Sequence, residues 1–239
     1  MLDRSSLYIG DISIDWEEIP SDSYLRDIRS IASIDTLSLN KPVTFFVGEN
    51  GTGKSTLLEA IAVAFGFNPE GGTKNYSFST YDSHSMLSEA IRISKGYKRS
   101  DWGFFLRAES FYNVATAEEE YSKISGVPLH LHERSHGESF LAMLKKQFRS
   151  RGVYLLDEPE AALSPQRQLT LLAEIMNCVD NDCQFIISTH SPILLGLTDS
   201  EIFSFDDDTL HTVSYEETSA YQITRLFLDH RKKMLDELR

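Results

Sequence analysis

The run Gly48-Glu49-Asn50-Gly51-Thr52-Gly53-Lys54-Ser55 constrains this chain more than any other feature. It fits G-x-x-x-x-G-K-[ST] at every defined position. Apolar Val43, Phe45, Phe46 and Val47 precede it and predict a buried strand. Ser55 to Ala62 follows with helical spacing of Leu57, Leu58 and Ile61. A strand, a glycine-rich turn and a helix in that order make a P-loop. Its glycines let backbone N–H groups approach phosphate oxygens, and the helix N-terminus adds a favourable dipole. Lys54 has the reach for the β- and γ-phosphates of a nucleotide, and Ser55 is placed to ligate Mg²⁺. The candidate phosphate-binding residues are therefore Gly48, Glu49, Asn50, Gly51, Thr52, Gly53, Lys54, Ser55 and Thr56.

Two further strand ends carry chemistry. Val153-Tyr154-Leu155-Leu156 delivers Asp157-Glu158 at its end, where α/β sheets place ligands. Asp157 suits Mg²⁺, and Glu158 suits polarisation of an attacking water. Phe185-Ile186-Ile187 then ends in Ser188-Thr189-His190. An imidazole there can hydrogen-bond a γ-phosphate or the attacking water. The expected catalytic residues are Glu158, His190 and Lys54.

The rest of the chain reads as an α/β domain of 239 residues. Leu7–Ile14 alternates as a strand, and Ile31–Leu39 reads similarly, as a candidate neighbour of the P-loop strand. Ser85–Ser94 reads as a helix and Trp102–Arg107 as a strand. Phe140–Phe148 reads as an amphipathic helix. Pro165–Val179 reads as a helix with Leu169, Leu172, Ile175 and Met176 facing inward. Ile202–Phe205 and Leu210–Val213 flank Asp206-Asp207-Asp208 as a hairpin, and Ala220–Leu238 reads as a terminal helix. Buried strands alternating with helices predict a mainly parallel sheet, with an antiparallel β region near the N-terminus.

Charge and composition narrow the partners. A net charge of −13 argues against broad electrostatic binding to nucleic acid. Lys95, Lys98 and Arg99, and Lys145, Lys146, Arg149 and Arg151, read as solvated faces. Apolar runs are too short to span a bilayer and the N-terminus carries no apolar leader, so a cytoplasmic location without membrane insertion is expected. Cys178 and Cys183 read as free thiols. His130, His132, Glu133 and His136 superficially resemble metal ligands but fall in an irregular polar stretch.

The order of P-loop, Ser-x-Gly-Glu, apolar-Asp-Glu-Pro and Ser-Thr-His resembles an ATP-binding-cassette (ABC) ATPase, from about residue 28 to 205. Arg134-Ser135-His136-Gly137-Glu138 stands where that family carries its signature motif. Ser135 and Gly137 match it. Its departures from the transporter form resemble the soluble chromosome-maintenance and recombination branch. The resemblance implies ATP and Mg²⁺ as cofactors, and a head-to-tail dimer in which Ser135 and Gly137 cap the γ-phosphate held by the other protomer. Glu160-Ala161-Ala162-Leu163-Ser164 occupies the D-loop position, the Q-loop glutamine has no clear counterpart, and Glu109 is the candidate to replace it near Mg²⁺. Tyr24 is a candidate for stacking on adenine, with Arg26 or Arg29 near the ribose or phosphates.

Only 26 residues separate Glu109 from Ser135, too few for a long coiled coil and short for a transporter's helical subdomain. The implied organisation is one ABC-type ATPase domain over 1–239, with a small helical signature subdomain at about 111–150. The implied function is ATP hydrolysis by a soluble dimerisation switch acting on an unknown protein partner, in DNA maintenance or phage defence. The alternative is the ATP-binding subunit of an ABC transporter.

Overall fold

The computed structural model of the chain describes residues 2–73, 86–107 and 136–239, with the backbone alone at His136. Its strands are β1 (Asp11–Ile14), β2 (Thr36–Ser38), β3 (Val43–Val47), β4 (Gly72–Thr73), β5 (Ile91–Ser94), β6 (Trp102–Leu106), β7 (Gly152–Asp157), β8 (Gln184–Ser188), β9 (Glu201–Ser204) and β10 (His211–Thr212). Its helices are α1 (Arg29–Ala32), α2 (Lys54–Phe65), α3 (Leu87–Ala90), α4 (His136–Gln147), α5 (Pro165–Asp180), α6 (Pro192–Leu195) and α7 (Ser219–Glu237).

Among the described residues the main sheet runs β10-β9-β3-β8-β7-β6-β4. The five inner strands are parallel, and β10 and β4 close the two edges antiparallel. Parallel strands are covered on both faces, so they can be apolar at every position. Their alternate residues accordingly split into two cores. Phe46, Phe105, Leu155 and Ile186 join α2 and the N-terminal sheet. Phe45, Phe104, Tyr154, Leu156 and Ile187 join α4 and α5. A β2-β1-β5 sheet, antiparallel throughout, forms the predicted N-terminal β region. Gln184 of β8 ties the two sheets by exchanging hydrogen bonds with the Ile9 backbone, at 2.9 and 2.8 Å.

Several local readings change. Ile31–Leu39 is not a strand beside the P-loop strand. Its first residues close α1, Thr36–Ser38 pairs with β1, and the neighbours of β3 are β8 and β9. Ser85–Ser94 is not one helix, because Ile91-Arg92-Ile93-Ser94 alternates and pairs with β1 as β5. The inner face of α5 is rotated from the predicted one. Leu171, Ile175, Cys178 and Val179 are buried, while Leu169 and Met176 are about half exposed. Both cysteines are free and buried. The Cys183 thiol donates to the Arg149 carbonyl.

Much of the two basic runs is committed within the chain. Lys98 pairs with Asp182, Lys145 with Glu174 and Arg151 with Asp101, while Arg149 lies 3.7 Å over the Trp102 ring. Among the described residues no helix is long and apolar enough to cross a membrane.

Candidate nucleotide-binding site

The register of the parallel strands builds the site. Phe46 of β3 pairs with Ser188 of β8, and Ser188 pairs with Asp157 of β7. The three strands thus end level, and the loops that leave them converge on one edge of the sheet. The P-loop leaves β3, Glu158 follows β7, and Thr189-His190 follows β8.

The P-loop turns into α2 through Gly53, whose φ of +98° is one that L side chains rarely adopt. A Cβ there would also lie 2.8 Å from Ile28 and Ile31, so α1 packs against bare backbone. Lys54 is buried at the first position of α2. Its ammonium donates to the Gly48 and Glu49 carbonyls at 2.6 and 2.7 Å. Burial lowers its pKa, while the carboxylates of Glu158, Asp206, Asp157 and Glu160 oppose that shift. Thr52 donates from Oγ1 to the Glu49 carbonyl at 2.9 Å, and the Ser30 hydroxyl donates to the Thr52 carbonyl.

Next to α2, the Ser55 hydroxyl donates to Asp157 Oδ1 at 3.0 Å. Asp157 is buried, and that burial raises its pKa more than the Ser55 hydrogen bond lowers it. Two hard oxygen donors side by side, one of them a buried carboxylate, fit a small divalent cation such as Mg²⁺. Because the folded pKa of Asp157 lies above its unfolded value, its stabilising contribution is present below the ordinary aspartate range. It is lost as pH rises through the folded pKa. Above the folded pKa the ionised carboxylate is therefore a net cost. Asp157→Asn in EDTA is expected to raise the melting temperature, by about 2–4 °C for each kcal/mol relieved. The same variant should weaken Mg²⁺-dependent nucleotide binding. A lower melting temperature would contradict this electrostatic account.

Glu158 adopts φ 45° and ψ 52°, the left-handed region uncommon for a residue with a side chain. Its N–H donates to the Ser188 carbonyl at 2.9 Å. This turn brings Glu158 Oε1 to 3.7 Å from His190 Nε2. Strained backbone of this kind costs on the order of 1–3 kcal/mol and clusters at functional sites. Both side chains are partly exposed, so water has access to the pair.

Gly137 lies in the first turn of α4. A Cβ on it would meet the Ala162 carbonyl at 2.7 Å and Arg167 at 2.8 Å. Glycine here lets α4 sit against the turn after Pro159, and Arg167 pairs with Glu138 across the same contact at 3.0 Å. Ser135 and Glu109 lie outside the described residues, as do His130, His132 and Glu133. Arg107, at the end of β6, pairs with Glu59 of α2 at 3.2 Å. Tyr24 is exposed on a short turn (Tyr24–Arg26) and does not belong to the core. Arg26 bonds the carbonyls of Pro20, Trp16 and Ile19, and Arg29 bonds Asp208, so both candidates for ribose or phosphate contact have partners within the chain.

Two residues at the site were not among the expected catalytic or binding residues. Glu160 Oε1 accepts the His190 N–H at 2.6 Å and so fixes the backbone that carries the imidazole. Asp206 Oδ1 accepts the Glu49 N–H at 2.9 Å and anchors the outer arm of the P-loop. Asp206 had one available signal, since it ends a strand on the ligand-binding edge of an α/β sheet. Glu160 had its place after Pro159, at the start of the segment in the D-loop position.

Strand, glycine turn and buried lysine, with an Asp-Glu strand two positions away in the sheet, define a P-loop nucleoside-triphosphate-binding α/β protein. More narrowly, the chain belongs to the AAA domain family, whose model matches residues 24–182. Among solved structures the chain is similar to CbiO1 from Clostridium perfringens, part of the ABC transporter complex CbiONQ. That likeness has 16% identity and a TM-score of 0.46, over 86% of this chain and 90% of that one. It is similar to an SMC head domain from Thermotoga maritima, with 16% identity and a TM-score of 0.43, over 75% and 92%. A third is an ATP-binding cassette of an ABC transporter in its ADP conformation, with 17% identity and a TM-score of 0.44, over 83% and 90%. No curated protein matches the sequence.

Proposed function

We propose that this protein hydrolyses ATP and works as a cytoplasmic, ATP-driven dimerisation switch for a protein partner, as a single ABC-type domain over 1–239 with a helical subdomain near 111–150. The observation that carries the reading is the convergence of Lys54, Ser55–Asp157 and Glu158–His190 at one sheet edge. The backbone of Gly48 to Thr56 cradles the triphosphate, with Lys54 leaving the loop carbonyls for the β- and γ-phosphates. Mg²⁺, held by Ser55 and Asp157 and joined by Glu109, would neutralise phosphate charge. Glu158 orients the attacking water and accepts its proton. His190 donates to the γ-phosphate from the end of β8. Ser135 and Gly137 of a second protomer cap that phosphate, so that ATP joins two copies. The process it serves is DNA maintenance or phage defence.

His190 provides the test. Removing one positioned donor to a transition-state oxyanion costs about 10²–10³ in rate. His190→Ala is therefore expected to lower kcat by at least about 10², while ATP affinity shifts less than about tenfold because the P-loop holds most of the triphosphate. If His190 only caps its strand, the variant melts earlier and turns over normally per folded molecule. Measuring kcat and melting temperature on one sample separates the two.

A further inference from the structure

The chain has two cysteines, Cys178 and Cys183, and the nucleotide site uses neither. Both are buried, one in the last turn of α5 and the other immediately before β8. The backbone between them sets their relation. The Cys183 N–H donates to the Cys178 carbonyl at 3.1 Å, and the Asp182 N–H donates to the Val179 carbonyl at 3.2 Å. Asp182 is left-handed, with φ +60°. A six-to-one bond enclosing a five-to-two bond, closed by a left-handed residue, is the Schellman end of a helix. That closure brings the side chains of its first and last residues into contact, ordinarily as an apolar pair. Here both are cysteines, and their side chains are hydrogen-bonded to each other. A disulfide spans about 4.4–6.8 Å between Cα atoms, a separation that residues sharing a backbone hydrogen bond meet.

The two sulfurs differ in their surroundings. The bond to Cys183, together with burial, holds the Cys178 thiol protonated well above the ordinary range. The Cys183 thiolate is favoured first by the Cys178 thiol and then by the Gly152 and Arg151 backbone N–H groups, while burial opposes it. Cys183 therefore has the character of the nucleophile and Cys178 that of its proton-bearing neighbour. The turn over them lies at the surface, with Asn181 exposed and Asp182 half-buried. It is fastened from outside. The Tyr8 hydroxyl donates to the Asp182 carbonyl at 2.9 Å, Lys98 Nζ donates to Asp182 Oδ2 at 2.9 Å, and the Arg151 N–H donates to the Asn181 carbonyl at 2.9 Å. Release of these bonds opens a way to Cys183.

We propose that Cys178 and Cys183 form a redox modification site, a dithiol that a hydroperoxide closes reversibly to a disulfide. When the turn over it lifts, the Cys183 thiolate attacks one oxygen of the peroxide. An S–O bond forms and the O–O bond breaks. The departing oxygen takes up the proton that Cys183 gave and leaves as water or an alcohol. The Cys178 sulfur then attacks the sulfur of the sulfenic acid. An S–S bond forms, the S–O bond breaks, and hydroxide leaves with the Cys178 proton as water. The two thiols lose two electrons and the peroxide gains them. A small dithiol restores both by exchange. In a reducing compartment such a bond is transient and redox-sensing rather than structural.

Hydrogen peroxide added to the folded full chain, without nucleotide, tests this. Alkylation in denaturant, read by mass before and after dithiothreitol, counts the free thiols. Both should vanish together in a product that runs as a monomer on a non-reducing gel, and dithiothreitol should restore both. Cys178→Ser should halt Cys183 at the sulfenic acid, which dimedone captures. In Cys183→Ser the remaining thiol, buried and protonated, should be lost at least about tenfold more slowly. Tyr8→Phe removes one hydrogen bond from the turn and should speed closure roughly fivefold. Two thiols still free in the treated folded protein would overturn the proposal, because the contact would then be packing alone. So would a bond that forms only in urea, a crosslink between chains, or sulfinic acid in place of a disulfide. A Tyr8→Phe protein oxidised no faster would overturn the route through the turn. The wild-type count is decisive even if a serine variant misfolds, and with nucleotide left out it is independent of the ATPase reading.

Discussion

Lys54→Ala is expected to abolish tight ATP binding, measured by titration of a fluorescent ATP analogue. Lys54 is buried at the start of α2, with its ammonium already inside the P-loop. Burial lowers its pKa, but four surrounding carboxylates favour the charged form. A fixed cation in a backbone cradle makes charge-assisted hydrogen bonds to phosphate, and these are about twice as strong as neutral ones. Alanine removes the charge and leaves the neighbouring carboxylates facing the triphosphate with less opposition. Loss of at least about 100-fold in affinity, or about 2.7 kcal/mol, is the expected result. The helix itself should survive, since alanine favours helix. Unchanged affinity would remove Gly48–Ser55 from nucleotide binding.

The second large effect concerns Glu158→Gln. Glutamine keeps the size of the side chain but cannot accept a proton from water. Hydrolysis should fall by about 10² or more, the range that general-base catalysis supplies. The left-handed backbone at 158 is held by the β7–β8 pairing and by the Glu158 N–H bond to the Ser188 carbonyl, so the substituted side chain should still reach His190. ATP should therefore bind and persist. If Ser135 and Gly137 complete the site of another protomer, the variant should form a dimer with saturating ATP and Mg²⁺, and much less of it with ADP. Light scattering reads the mass directly. A Glu158→Gln protein with the same mass in ATP as in ADP would dismiss the nucleotide-bridged dimer. Full turnover in the same protein would remove Glu158 from the base role.

Much of this architecture was legible because local signals and global fold agreed. The P-loop string, the apolar strands before Asp157 and Ser188, and the Asp206–Asp208 hairpin each carry their own turn or strand chemistry. Readings failed where periodicity was short or ambiguous. Ile91 to Ser94 alternates over only four residues and was absorbed into the preceding helix. Leu169 and Met176 looked like inner-face residues of α5, but helical spacing alone does not select which apolar stripe meets the sheet. The exposed stripe and the buried one differ by a rotation that only the neighbouring strands impose.

The sequence by itself determined a P-loop α/β protein and named Lys54, Ser55, Asp157, Glu158 and His190, because each closes or follows a strand recognisable from its own residues. Tertiary structure decided how they meet. Strand order set β8 between the P-loop strand and the Asp-Glu strand, and register brought Phe46, Ser188 and Asp157 level. The same packing gave Glu160 to the His190 backbone and Asp206 to the P-loop. These partners are 30 and 157 residues apart in the chain. No local propensity encodes such contacts; they follow from the hydrophobic burial that aligns the strands and brings their loops to a common edge.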